Sequence, residues 1–99
     1  RAGVSASKVA QDYIGLFQEK GYKDNYLYGP CHGTGLIEVE PPWMETNSSY
    51  DLKNKMTFQV DTFVSTKEYG IRWETGVVIQ GGGCQLLSNP IDTVVELDL

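Results

Sequence analysis

Apolar residues between positions 5 and 20 recur at steps of three and four, which is the spacing of one buried face of an α-helix. The residues of that face are Val9, Ala10, Tyr13, Ile14 and Phe17. Ser5 can cap the start of this helix and Gly21 can end it. Gly15 lies inside the helix, where glycine costs up to about 1 kcal/mol relative to alanine. We therefore expect another element to pack closely against Gly15.

The rest of the chain has the pattern of strands separated by breaks. Glycine and proline are so dense between positions 29 and 42 that only a short strand at 36–39 fits there. The polar segment 42–55 is predicted to be a loop, and 56–65 and 69–80 are predicted strands. Three glycines then precede apolar runs at 84–87 and 93–97. One helix followed by antiparallel strands predicts an α+β unit.

Composition narrows the class of protein. A chain of 99 residues with 40% hydrophobic and 21% charged residues fits one ordinary globular unit. Its net charge of −5 argues against binding to nucleic acid or anionic membranes and favours cations. The sequence contains neither the roughly 18 consecutive apolar residues of a spanning helix nor a signal-peptide core. Two cysteines, Cys31 and Cys84, are too few for a disulfide framework, so we expect a cytoplasmic protein.

Two carboxylates are equally far from the centre of the predicted hairpin 56–80. If the hairpin turns at 65–70, Asp61 faces Glu74, with β-carbons about 4.5–5.5 Å apart. By strand alternation Arg72 shares the face of Glu74, whereas Ile71, Trp73 and Val77 point into a core. The hairpin pattern thus separates a charged face from a packing face.

Like charges directly opposite each other destabilise a sheet unless something compensates them. A divalent cation between them, a basic group such as Arg72, or protonation of one carboxyl would each do so. Alternatively, a register shifted by one residue would place Asp61 and Glu74 on opposite faces as ordinary surface charges. Spacing alone favours this ordinary arrangement.

His32 is the only histidine, and it lies in the turn-prone stretch 29–35. A lone imidazole in such a stretch is most often solvated or simply hydrogen-bonded. The nearby glycines would nevertheless let another backbone approach closely and leave the ring exposed, and imidazole with carboxylates is a usual ligand set for zinc, manganese or iron. Cys31 could be a soft ligand, but a small buried thiol is the better interpretation.

Three segments, in this order, resemble motifs of one family. Residues 31–42 resemble the motif G-H-G-x-G-L-x-x-H-E-x-P of prolidase and aminopeptidase P. Residues 56–61 are similar to M-x-F-T-x-E-P-G, and 70–74 to G-x-R-x-E-D. With a similar lead-in to the first helix, the resemblance runs to about Ser88. It implies the C-terminal part of a pita-bread domain, the fold of methionine aminopeptidase, prolidase and creatinase, over residues 1–99.

The resemblance also implies roles for individual residues. His32, Asp61 and Glu74 fall at positions where the family binds a divalent metal, which could be manganese, zinc, cobalt or iron. Arg72 falls where the family has an arginine that supports the site or binds substrate. In that family the matching acidic residues lie on adjacent strands, so the resemblance favours the hairpin register with Asp61 opposite Glu74.

Departures from the motifs bear on activity. Val39 stands at the family's second-histidine position, whose histidine is thought to assist the reaction, and valine can neither donate nor accept a proton. No catalytic residue is therefore assigned. Asp61 replaces a glutamate and shortens its reach by one methylene. Thr62 and Thr75 replace the proline and the aspartate that follow the two acidic ligands.

The other two ligands of the family are aspartates on strands before the helix, and this sequence does not contain them. With at most three of five ligands, the chain should not build the two-metal centre that activates a water. The sequence also begins at Arg1 without an initiator methionine. We therefore expect a piece truncated at its N-terminal side and inactive alone.

Three functions fit these observations. The first is part of a metal-dependent hydrolase that resembles Xaa-Pro peptidases and acts on a peptide or small amide. The second is a pita-bread module that has lost catalysis and binds a peptide or protein, which Val39 favours and the retained ligands oppose. The third is creatinase-like hydrolysis of a carbon–nitrogen bond, which needs no metal. A piece without its preceding strands would expose a sheet edge, so we also expect self-association.

Overall fold

The computed structural model of the protein describes residues 1–88 and 93–98. One α-helix, α1, spans Ala6–Glu19, and its end is set by glycine. Gly21 adopts a left-handed φ of +80°. The N–H of Tyr22 then donates to the carbonyl of Phe17 and the N–H of Gly21 to that of Gln18, at 2.7 and 3.1 Å, which is a Schellman motif. Gly21 thus ends the helix as predicted.

Ser5 occupies the N-cap position of α1, also as predicted, but its side chain does not cap the helix. Its hydroxyl is paired with that of Ser7 instead. The chain continues from α1 through a short 3₁₀ turn, Lys23–Asn25, into the sheet.

Six strands follow, all in one antiparallel sheet of the described residues. They are β1 (Tyr26–Tyr28), β2 (Cys31–Gly33), β3 (Glu40–Met44), β4 (Thr57–Ser65), β5 (Gly70–Ile79) and β6 (Cys84–Leu86). The order across the sheet is β3-β2-β4-β5-β6, and β1 pairs with β4 beside β2. The predicted α+β class and the long hairpin are confirmed, whereas the predicted loop 42–55 is wrong at its start, because residues 42–44 belong to β3.

The core lies between α1 and one face of the sheet. Ala6 and Ala10 on the helix are fully buried against a cluster that contains Phe58, Val77 and Ile79. Tyr13 extends the contact, because its hydroxyl is hydrogen-bonded to that of Thr62 on β4. The opposite face of the sheet carries Asp61 and Glu74.

Three predictions about packing are wrong. Gly15 is exposed, and a β-carbon there would have no atom within 4 Å. Residues 36–39 form a bend rather than a strand, with Leu36 98% exposed. Ile71 and Trp73 do point away from Glu74, but they are 60% and 42% exposed, so that only Val77 of the predicted trio is in the core.

The bend that contains residues 36–39 has a physical cause. β2 and β3 pair with each other so closely that a β-carbon at Gly33 would lie 2.7 Å from the carbonyl oxygens of Glu40 and Pro41. The connection between these strands must therefore turn back sharply, and residues 36–39 are used for that turn. Among the described residues, no helix is long and apolar enough to cross a membrane.

Candidate metal centre

Three strands bring the predicted ligands together on the sheet face that α1 leaves free. Asp61 on β4 is paired with Glu74 on β5, which is the predicted register. His32 on β2 is paired with Gln59 on β4, two residues before Asp61 and therefore on the same face. Ligand atoms of His32, Asp61 and Glu74 all lie within 4.8 Å of one another.

His32 is fully buried on a strand, so the expectation of an exposed ring in a turn is wrong. Its Nδ1 lies 2.9 Å from the carbonyl oxygen of Gly33. Because a carbonyl only accepts, Nδ1 must carry the proton, and neutral imidazole then presents a bare lone pair at Nε2. This is the arrangement in which histidine binds metals, with one nitrogen held by a backbone carbonyl.

Nε2 of His32 faces two carboxylates. It lies 3.8 Å from Oδ2 of Asp61 and 3.7 Å from Oε1 of Glu74. Neither Nε2 of His32 nor Oε1 of Glu74 has a hydrogen-bond partner, although both atoms are buried. Acceptors that point at one another without a donor are unfavourable until a cation or proton lies between them.

Arg72 compensates part of the negative charge. Its Nε and Nη2 donate to the two oxygens of Asp61 at 3.1 and 3.2 Å, and Nη2 also donates to Oε2 of Glu74 at 3.0 Å. Phe63 supports the guanidinium, whose carbon lies 4.8 Å from the centre of the ring. The hydrogen bonds to Asp61, together with the charges of both carboxylates, raise the pKa of Arg72.

The residues present fit a divalent cation. Ligands about 2.0–2.2 Å from one ion lie roughly 3–3.5 Å apart, so the separations of 3.7 and 3.8 Å from Nε2 of His32 need to close by about 0.2–0.8 Å. One imidazole nitrogen and two carboxylates form a donor set used for zinc, manganese and iron. Arg72 leaves Oε1 of Glu74 free for such an ion.

Cys31 is excluded from this set by strand alternation. It neighbours His32 on β2, so its side chain points to the opposite face, where it joins the core at 8% exposure. Burial raises the pKa of its thiol to about 12, with a smaller contribution from Cys84. The predicted buried thiol is confirmed.

Two residues of this face were not predicted from the sequence. Gln59 lies between His32 and Gly76, and Phe63 supports Arg72. Alternation along β4 gives both residues the same face as Asp61, which was the signal available for finding them. The pairing of β2 with β4, however, had no signature in the sequence.

Comparison with known proteins identifies the family. The model of metallopeptidase family M24 matches residues 1–81, and the chain belongs to this family. No curated protein sequence matches it significantly.

Solved structures agree with this assignment. The chain superposes on the X-Pro aminopeptidase from Thermotoga maritima MSB8 with a TM-score of 0.86 and 26% identity, covering 94% of this chain and 27% of that one. A dipeptidase from Pyrococcus horikoshii OT3 gives a TM-score of 0.81 at 27% identity, over 90% of this chain and 25% of that one. The Xaa-Pro dipeptidase from Bacillus anthracis shares the fold, with a TM-score of 0.89 at 21% identity over 98% and 28% of the two chains.

The chain therefore has the fold of the pita-bread metallopeptidases, and it spans about a quarter of the length of the structures it matches.

Proposed function

We propose that this chain supplies the C-terminal part of the catalytic domain of a metal-dependent hydrolase that cleaves a peptide or related carbon–nitrogen bond. The observation that carries the proposal is the buried Nε2 of His32, which has no hydrogen-bond partner and faces Glu74 and Asp61 at 3.7 and 3.8 Å. His32, Asp61 and Glu74 would hold one side of a divalent cation. The candidate cations are manganese, zinc, cobalt and iron.

When bound, such a cation supplies Lewis acidity to the carbonyl group of the substrate. The residues of this chain prepare the site for it. The backbone carbonyl of Gly33 fixes the His32 ring so that its lone pair points into the site, and Arg72 orients both carboxylates. The Arg72 side chain is 47% exposed, which leaves part of the guanidinium free for a substrate carboxylate or carbonyl.

The relatives supply the substrate class of the proposal. The solved structures with TM-scores of 0.81–0.89 are named as an X-Pro aminopeptidase, a dipeptidase and an Xaa-Pro dipeptidase. We infer a short peptide, with proline after the scissile bond, as the substrate class to test first.

A second function, a non-catalytic peptide-binding module, is favoured by Val39. This residue is 44% exposed in the bend between β2 and β3, and it has no group that could transfer a proton. If the intact protein is an enzyme, another residue must make the proton transfer. If it is not, the same face would still bind a peptide.

Hydrolysis by the intact protein distinguishes these functions. With Mn²⁺ present, we expect cleavage of Xaa-Pro dipeptides, and Glu74→Gln should lower kcat/KM on the order of 100-fold or more because one cation ligand loses its charge. Glu68→Gln, which changes an exposed carboxylate in the turn of the same hairpin, is the matched control and should have no effect.

Failure to cleave any of the dipeptides, combined with saturable binding of the same peptides, would reject the hydrolase and support the binding module. Cleavage that is insensitive to both Glu74→Gln and the removal of divalent metal would reject the metal site and favour the creatinase-like alternative.

A further inference from the structure

Gln59 occupies a central position beside the candidate cation site. It is paired directly with His32 on one side and with Gly76 on the other, on the same sheet face as Asp61. Directly opposed residues such as Gln59 and His32 have β-carbons about 4.5–5.5 Å apart, and diagonal neighbours such as Gln59 and Glu74 are about 7–8 Å apart, still within the span of long side chains.

The amide oxygen of Gln59 has no hydrogen-bond partner although it is buried. It is the third such acceptor on this face, after Nε2 of His32 and Oε1 of Glu74. A buried carbonyl oxygen without a donor is costly, and three bare acceptors on one side of the sheet share the need for positive charge.

Gly76 makes room for this oxygen. A β-carbon at position 76 would lie 3.3 Å from Oε1 of Gln59 and 3.4 Å from the Leu87 side chain, so the oxygen lies over the glycine, which is two residues along β5 from Glu74 on the same face. Asp61 has both oxygens hydrogen-bonded to Arg72 and has a short side chain. A further oxygen beside Asp61 would add a ligand to the candidate cation site.

We propose that Gln59 is a ligand of the same divalent cation, through Oε1, alongside His32, Asp61 and Glu74. The assignment rests on the proposed cation site and adds a residue to it. A neutral amide oxygen is a hard donor that adds no charge, so it should favour Mn²⁺ relative to Zn²⁺.

Binding of Mn²⁺ to the intact protein, followed by the electron paramagnetic resonance signal of the free ion, tests this role without reference to activity. We expect Gln59→Leu, which keeps the size of the side chain but removes the oxygen, to weaken Mn²⁺ binding on the order of 10-fold. Gln59→Glu restores an oxygen with a charge and should bind Mn²⁺ at least as tightly as the wild type. Zinc affinity, measured by competition, should fall less than manganese affinity in Gln59→Leu.

Gln85→Leu is the matched control, because Oε1 of Gln85 already accepts a hydrogen bond from Gln80 at 2.7 Å. It should leave Mn²⁺ binding unchanged. Thermal unfolding distinguishes the loss of a metal ligand from a folding defect. Without metal, the Tm of Gln59→Leu should be no lower than that of the wild type. The rise in Tm that Mn²⁺ induces should be smaller in this variant.

Wild-type affinity for Mn²⁺ in Gln59→Leu would overturn the ligand role of Gln59, and the cation site would stand if Glu74→Gln still lost binding. Weaker binding in Gln59→Glu, or a lower metal-free Tm with a full Mn²⁺-induced rise in Gln59→Leu, would make Gln59 structural. Absence of Mn²⁺ binding in the wild type would reject both the cation site and this assignment.

Discussion

Neighbouring residues on β2 have opposite chemical environments. His32 faces the carboxylates of Asp61 and Glu74, whereas Cys31 points into the core beneath α1. Alternation along a strand is the cause, because successive side chains leave the sheet on opposite faces. A residue type that could bind metal is thereby kept away from the site by its position alone.

The two thiols should differ in reactivity for the same reason. Burial raises the pKa of Cys31 to about 12, so at pH 8 its thiol is protonated and shielded, while Cys84 is exposed. We expect iodoacetamide to modify Cys84 quickly and Cys31 at least about 100-fold more slowly, since only the accessible thiolate is a nucleophile. Mass spectrometry of timed samples measures both rates.

Cys84→Ser should remove the fast reaction, and unfolding in urea should make Cys31 reactive. Two fast thiols in the folded protein would show that the core beneath α1 opens readily.

At the scale of the element, two glycines in and just after α1 have different roles. Gly15 lies within the helix, where an added β-carbon would have no atom within 4 Å, whereas Gly21 ends the helix at a φ of +80°. Only the second position needs glycine, because a left-handed backbone strains other residues.

We therefore expect Gly15→Ala to stabilise the protein by up to about 1 kcal/mol, since alanine has the higher helix propensity and restricts the unfolded chain. Gly21→Ala is the contrasting variant at the end of the same helix and should destabilise by about 1 kcal/mol. Urea unfolding followed by circular dichroism measures both changes. Destabilisation by Gly15→Ala in the intact protein would show that a further segment packs against this helix.

The hairpin β4–β5 organises the site at the same scale. Its register pairs Asp61 with Glu74 and Phe63 with Arg72, so that a carboxylate pair and its counter-charge lie close together on one face. One slip of register would separate them onto opposite faces. Burial also changes along β5: Val77 near one end is buried, whereas Ile71 near the other end is exposed.

At the scale of the whole molecule, an apolar area remains uncovered on the sheet face that carries the core. Ile71 and Trp73 are exposed there, and β6 pairs with β5 only at 77–79. Among the described residues, no strand pairs with the outer edge of β5 at 70–75. An open edge beside apolar side chains favours association with another strand.

We propose that the 99-residue chain self-associates through this edge. Sedimentation velocity at high micromolar concentration should show dimers or larger species, and Trp73→Lys should shift the distribution towards monomer. Trp43→Lys makes the same change on the other face, at a tryptophan that is 41% exposed, and should leave association unchanged. A wild-type chain that sediments strictly as a monomer would contradict the proposal.

The sequence by itself determined the features that depend on local periodicity. The helix follows from apolar steps of three and four, and the hairpin follows from two β-rich runs around a polar turn. The pairing of Asp61 with Glu74 was predictable because both are equally far from that turn, and the motif resemblance selected this register. Val39 likewise needs no structure to be recognised as a residue without a titratable group.

Only the tertiary structure decided which strands pair and which side chains the elements cover. The pairing of β2 with β4 joins residues that are distant in sequence, and it buries His32 beside Gln59. The same packing leaves Trp73 exposed on the sheet, and among the described residues nothing covers Gly15 on the helix. Local patterns fix the direction of a side chain within its own element, but the partner it finds depends on long-range strand pairing, which no local pattern specifies.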